Sequence, residues 1–122
     1  MADYIDGFTL PISRDQLTLY QSVVEQVAEI WKEHGALDYR EYVIDDPTME
    51  GTRSFVDAVN AKEGEVVVFG WVSFESREAR DLANKKVAAD PRMVDILSPL
   101  VQSANPIFSA ERMVYGGFRS LV

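Results

Sequence analysis

The chain has 122 residues, no cysteine and a formal net charge of -8, from 12 Lys and Arg against 20 Asp and Glu. That length fits one domain with a single core, and a hydrophobic share of 47% excludes intrinsic disorder. Zero cysteine excludes thiol catalysis, iron–sulfur clusters and zinc–thiolate sites. The acidic balance argues against nucleic acid, whose phosphates are met by Lys and Arg, and against an anionic membrane surface. Arg77, Arg80, Lys85, Lys86 and Arg92 do gather, but Glu75, Glu78, Asp81 and Asp90 lie among them. Such mixed charge reads as a solvated helix face.

A lack of cysteine suits a cytoplasmic protein. The opening Met-Ala-Asp-Tyr-Ile-Asp-Gly-Phe has neither the basic nor the apolar region of a signal peptide. No apolar run approaches the roughly 20 residues of a membrane-spanning helix.

Residues 4–12, Tyr-Ile-Asp-Gly-Phe-Thr-Leu-Pro-Ile, are β-branched and aromatic and predict a strand, with Pro11 near its end. Ser13 is placed to open a helix, with Gln16 at capping-box spacing. Leu17, Tyr20, Val24, Val27, Ala28 and Trp31 then form one apolar stripe at helical period. His34 falls in the last turn and Gly35 is the stop signal. Leu37 to Ile44 predicts a second strand, 45–54 a loop, and Phe55 to Ala61 a helical turn or irregular lead-in. Glu65 to Glu75 is the strongest strand. Ser76 caps a second helix that carries Ala79, Leu82, Ala83 and Val87. Asp90-Pro91 restarts a short helix, with Met93, Ile96 and Leu97 on its apolar face and Pro99 disturbing its continuation. Residues 103–110 read as loop, and Arg112 to Leu121 as the last strand, with Gly116-Gly117 inside it. The order strand, helix, strand, strand, helix, strand is the ferredoxin-like α+β pattern. It implies one four-stranded antiparallel sheet with both long helices on one face, in a single domain spanning 1–122.

A sheet covered on one side alternates apolar and polar residues. The strand at 65–75 does not. Val66, Val68, Gly70, Val72 and Phe74 form one set, and Val67, Phe69, Trp71 and Ser73 the other. The first strand adds Tyr4 and Phe8 on the side opposite Ile5 and Gly7. Each large apolar residue left wet forgoes about 1.5–3 kcal/mol of burial, and a patch of them is rare on a monomer. A second copy covering the sheet face, most simply with two-fold symmetry, is the expected solution. Paired sheets would also leave room for a small-molecule pocket in each subunit. The alternative is a monomer whose loops at 45–64 and 98–110 fold over the face.

Several strings resemble a known family. They are Asp6-Gly7-Phe8, Ser76 with Arg80-Asp81, Asp90-Pro91-Arg92-Met93, and Arg112-Met113-Val114-Tyr115-Gly116-Gly117-Phe118. Together, over essentially the whole chain, they are similar to the YbaA-like family of small bacterial proteins, classed as a domain of unknown function (number 1428). The resemblance implies a ferredoxin-like fold that pairs into a dimeric α/β barrel, and it implies no reaction. This chain departs from the family pattern before its last strand. The link runs through Pro106-Ile107-Phe108-Ser109-Ala110, and Glu111 precedes Arg112.

Nothing in the sequence calls for a metal or a cofactor. His34 is the only histidine, and a helix C-terminus favours it for its dipole alone. Asp45 and Asp46 beside Pro47 read as a turn. Asp6 is a carboxylate in the middle of a buried strand. If it shares the barrel interior with Trp71 and Tyr115, desolvation would move it towards base duty; the structural alternative pairs it with Arg112 or a partner subunit. Glu41 has the same alternation in the second strand. The candidate pocket is therefore Asp6, Glu41, Trp71 and Tyr115. Arg80 and Asn84 share a helix face and could hold an anion, although surface pairing with Asp81 or Glu78 is the simpler expectation. Gly116-Gly117 precedes no helix and so is no phosphate loop; in a strand it signals a bulge or a close approach. Two functions follow: a small-molecule site, with cofactorless oxygenase or isomerase chemistry by fold analogy, or a non-catalytic dimeric binding protein.

Overall fold

The computed structural model describes residues 2–101 and 106–122. Four strands, β1 (Tyr4–Ser13), β2 (Asp38–Val43), β3 (Glu65–Phe74) and β4 (Val114–Arg119), form one sheet in the order β2-β3-β1-β4. Every pairing is antiparallel. The helices are α1 (Leu17–Glu33), the single turn α2 (Phe55–Ala58), α3 (Arg77–Ala89) and α4 (Arg92–Val101). The element order and the sheet order are those of the ferredoxin-like α+β fold expected from the sequence.

Pairing registers settle which side chains share a face. Tyr39, Glu41 and Val43 of β2 lie opposite Val72, Gly70 and Val68. Tyr115 and Gly117 of β4 lie opposite Phe8 and Asp6. These residues face the helices. There Leu10, Ile12, Val68, Tyr20, Val23, Val27 and Leu100 make one packed cluster, and Val72, Phe74, Ala36 and Ala83 a second. Phe8, Trp31 and Tyr39 pack against both clusters. Residues 106–108 join this side too, since the N–H groups of Ile107 and Phe108 donate to the Leu100 carbonyl.

The other face carries Ile5, Gly7, Thr9, Phe69, Trp71, Tyr42, Val114 and Phe118. Tyr4 and Phe8 are not on it; they face the helices and are absorbed there, which corrects the expectation for the first strand. Phe55 of α2 reaches the open face and meets Phe69 edge-on at 5.6 Å between ring centroids. It covers only part of the patch, for Phe69, Val114 and Phe118 stay exposed.

Several local readings change. The capping box at Ser13 does not form. The chain stays in β1 through Ser13, passes one 3-10 turn at Arg14–Gln16, and enters α1 at Leu17 without a side-chain cap. Pairing to Val66 and Glu65 holds Ile12 and Ser13 in the sheet. Pro11 is tolerated because β4 stops pairing at Thr9, so the strand is an edge on that side. Ser76 does cap α3, accepting from the Ala79 N–H at 3.1 Å. Arg112 sits in a 3-10 turn (Ala110–Arg112) instead of opening β4. Its guanidinium donates to Glu65 at 2.6 and 2.9 Å, and Glu65 is pulled down to about 2, chiefly by that bond. α4 runs through Pro99 to Val101. The loop read at 103–110 lies partly outside the described residues.

Candidate functional site

Asp6 sits in the middle of β1, faces the helices and is 5% exposed. A lone carboxylate there would be costly, because desolvation penalises its charge. α3 supplies the partner. Ala79 and Ala83 are small, so α3 lies close to the sheet, and Arg80 beside them reaches across β1. Its Nη1 donates to Asp6 Oδ1 at 2.7 Å and to the Tyr115 hydroxyl at 2.8 Å. Nη2 donates to the Tyr4 hydroxyl at 3.3 Å, and Nε donates to Asp81 at 2.8 Å. The guanidinium carbon lies 4.9 Å from the centre of the Tyr4 ring. Tyr115 completes the cluster by donating its own hydroxyl to Asp6 Oδ1 at 2.6 Å.

Burial alone would lower the Arg80 pKa, but the bond to Asp81 and the charge of Asp6 hold it above the usual arginine value. Tyr115 is pushed up to about 12, first by burial and then by its bond to Asp6. Both stay protonated at neutral pH and act as fixed donors.

Gly117 makes the arrangement possible. It lies opposite Asp6, and a Cβ there would overlap the Tyr4 hydroxyl and stand 3.2 Å from Arg80 Nη1. The close approach read from the glycine pair is real, and it is made by Tyr4 and Arg80.

Asp6 Oδ1 is saturated. Oδ2 has no hydrogen-bond partner among the described residues, and it is not sealed, because no sealed side-chain oxygen or nitrogen among them lacks one. Asp6 lines a cavity of about 510 Å³ between the sheet and α1, α3 and α4. The cavity lies where the two core clusters part, walled by Phe8, Trp31 and Tyr39, which pack against both. Its remaining walls are chiefly aliphatic, aromatic and thioether, including Met93, Leu97, Phe108 and Met113. Its polar groups are Asp6, Tyr115, Asn84, Tyr20 and Tyr39.

A second carboxyl flanks this space. Glu41 accepts from the hydroxyls of Tyr20 and, at 2.6 Å, Tyr39. Burial raises its pKa, although the two tyrosine bonds oppose that. Burial and the Glu41 charge push both tyrosines up in turn. Tyr20 and Tyr39 line the cavity, while Glu41 stands behind them beside a surface groove with Leu17, Gln21 and Tyr42.

Of the four residues expected to share a pocket, Asp6 and Tyr115 are in direct contact and Glu41 is one side chain removed. Trp71 does not join them. It points to the open face, stacked on Tyr42 at 5.3 Å. β3 is apolar on both faces, so its parity could not be read from hydrophobicity. Asp6 pairs with Arg80; Arg112, its expected partner, is taken by Glu65. Arg80 is no surface residue, with a side chain 11% exposed. His34 caps α1, and its Nε2 lies 2.8 Å from Asp90 Oδ2. No group of three or more His, Asp or Glu among the described residues is placed to hold a metal. No described helix is long and apolar enough to cross a membrane.

The fold and the helix-side cavity define a ferredoxin-like α+β domain, and comparison with solved structures agrees. A NIPSNAP family protein of unknown function from Agrobacterium tumefaciens superposes with a TM-score of 0.58 at 16% identity, over 98% of this chain and 88% of that one. A monooxygenase from the gene ActVA-Orf6 of Streptomyces coelicolor, in complex with nanaomycin D, gives 0.57 at 16% identity over 99% and 89%. A dimeric ferredoxin-like protein from an uncultured marine organism gives 0.50 at 12% over 98% and 95%. Sequence comparison narrows the class. The chain belongs to the family described as "protein of unknown function (DUF1428)", whose model matches residues 3–102. It is 36% identical to the uncharacterized protein YbaA of Escherichia coli K12 over 119 residues, covering 98% of this chain and 97% of that protein.

Proposed function

We propose that this protein is a cytoplasmic homodimer that binds a small molecule between its sheet and its helices, with Asp6 as the group that orients the ligand. The observation that carries the reading is one carboxylate, nine-tenths buried and fixed through Oδ1 by Arg80 and Tyr115, on the wall of a cavity of about 510 Å³, with an Oδ2 that has no hydrogen-bond partner among the described residues and is not sealed. Volumes of roughly 300–1,000 Å³, apolar walls and a few convergent polar groups are what small-molecule sites share. The dimer is supported by the apolar open face. Phe69, Trp71, Tyr42, Val114 and Phe118 lie together there, and a flat sheet patch of that kind is covered most simply by its own copy. The marine ferredoxin-like protein of similar fold is dimeric, which supports the same arrangement. The cytoplasmic setting rests on the lack of cysteine.

Native and denaturing mass spectrometry of freshly purified protein tests both parts. The expected result is a species of twice 13.7 kDa carrying extra mass that is lost on denaturation. A stable monomer overturns the dimer. A cavity-filling Met93→Trp variant that keeps the extra mass overturns the cavity as its place.

A further inference from the structure

We infer that the ligand of the helix-side cavity is a neutral, largely apolar, planar molecule that donates one hydroxyl to Asp6 Oδ2. The inference rests on the small-molecule reading above and specifies its chemistry.

The polarity of the recognition follows from hydrogen-bond capacity. An ionised carboxylate only accepts. Oδ1 already receives Arg80 Nη1 and the Tyr115 hydroxyl, at 2.7 and 2.6 Å, so Oδ2 is the vacant acceptor. What fills it must carry an N–H or O–H.

Charge narrows the choice. Arg80 is paired with Asp6 at contact distance, as well as with the exposed Asp81, so a cation entering the cavity would meet a carboxylate already engaged by a fixed cation. An anion would approach the vacant acceptor head-on. Among the described residues no Lys or Arg lines the cavity, and Arg80 is bound to two of its lining residues, Asp6 and Tyr115. The cost of desolvating either kind of ion goes unanswered there. A neutral donor loses least on entry and gains a hydrogen bond to a charged acceptor, among the stronger kinds available.

The walls set the body of the molecule. Phe8, Trp31, Tyr39 and Phe108 offer ring faces and edges, and Met93 and Met113 offer thioethers. Rings pack favourably against both. The volume lies within the roughly 300–1,000 Å³ range of small-molecule sites, enough for one or two fused rings.

Isothermal titration of the intact protein at pH 7 with four probes tests this. They are 2-naphthol, its methyl ether 2-methoxynaphthalene, the anion 2-naphthoate and the cation 1-naphthylmethylammonium. 2-Naphthol is expected to bind, the ether about tenfold or more weaker for want of the donor, and the two ions weaker still. The gap between 2-naphthol and its ether should close in Asp6→Asn, and Met93→Trp should block both. The wild-type probe series is decisive on its own if Asp6→Asn fails to fold. Equal binding of 2-naphthol and its ether overturns recognition of a hydroxyl while leaving the pocket standing. Tighter binding of either ion overturns neutrality. Failure of all four probes, or unchanged binding in Met93→Trp, overturns the pocket reading itself.

Discussion

The two faces of one sheet solve opposite problems with the same strands. Towards the helices, β1 and β4 bring Asp6, Tyr4 and Tyr115 around Arg80, which donates to all three, and Tyr115 donates to Asp6 in turn. On the other side the same two strands present Ile5, Val114 and Phe118, and β3 adds Phe69 and Trp71, while the Thr9 hydroxyl there is spent on the Val68 carbonyl. The helix side holds a fixed geometry around a cavity. The open side offers area, and Phe118 is 56% exposed on it. Specific recognition of a small molecule needs directional groups, while self-association of a sheet needs mainly contiguous apolar surface. On the proposed function, ligand and partner use different faces.

The sharpest break is at the cluster. Arg80→Met keeps most of the side-chain volume and leaves Asp6 buried without its cation. The expected loss is roughly 3–5 kcal/mol, as for a buried pair that loses one partner, read by urea denaturation. A loss under about 1 kcal/mol would mean that the ion pair is incidental. On the open face, Phe69→Glu should leave the monomer folded, because Phe69 is exposed, and should weaken the dimer about 30-fold or more, the range of an interface hot spot. Sedimentation velocity measures that, and an unchanged dimer would place the interface elsewhere. Gly117→Ala should cost about 1–3 kcal/mol by overpacking the Tyr4 hydroxyl. Gly51→Ala, with nothing near its added Cβ but a positive φ, is its control for backbone strain alone.

Two pH effects are smaller and opposite in sign. Glu41 is raised by burial, so between the ordinary glutamate value and the raised one the folded chain binds more protons there than the unfolded chain. Stability at this site therefore falls as pH rises from the ordinary glutamate value through the raised one, and Glu41→Gln should flatten that slope in denaturation curves from pH 4 to 8. Glu65 is lowered to about 2 by Arg112. Its contribution is present above the ordinary glutamate value and lost as pH falls towards 2. Glu65→Gln should cost roughly 1–2 kcal/mol at pH 7 and nothing measurable near pH 2.

Fold class, element order and the surplus of apolar surface were legible because they rest on periodicity. Asp6 and Glu41 were legible for a related reason, as single carboxylates breaking an apolar alternation. Trp71 was not, because a strand apolar on both sides carries no parity, and only the pairing of Trp71 with Gly7 and Arg40 fixes its face. Arg80 reads as a surface residue pairing with Asp81; that pair forms, but the bond to Asp6 is hidden among the mixed charges. The signal was its place next to Ala79 and one turn from Ala83, since small residues mark where a helix comes nearest its sheet. The hydroxyls of Tyr20 and Tyr39 were invisible for a plainer reason: a tyrosine in an apolar stripe looks like core until its partner is known.

The Arg80 cluster also orders events in time. It joins positions 4, 6, 80 and 115, and Tyr115 and Asp6 are 109 residues apart in sequence. In chain order β1 and α3 precede β4, so Tyr115, the fourth member of the cluster, is the last of them to be made. Closing so long a loop is entropically expensive until the intervening elements have docked. The cluster is therefore complete only once β4 has paired with β1, and a molecule that recognises it would report that this pairing has been made.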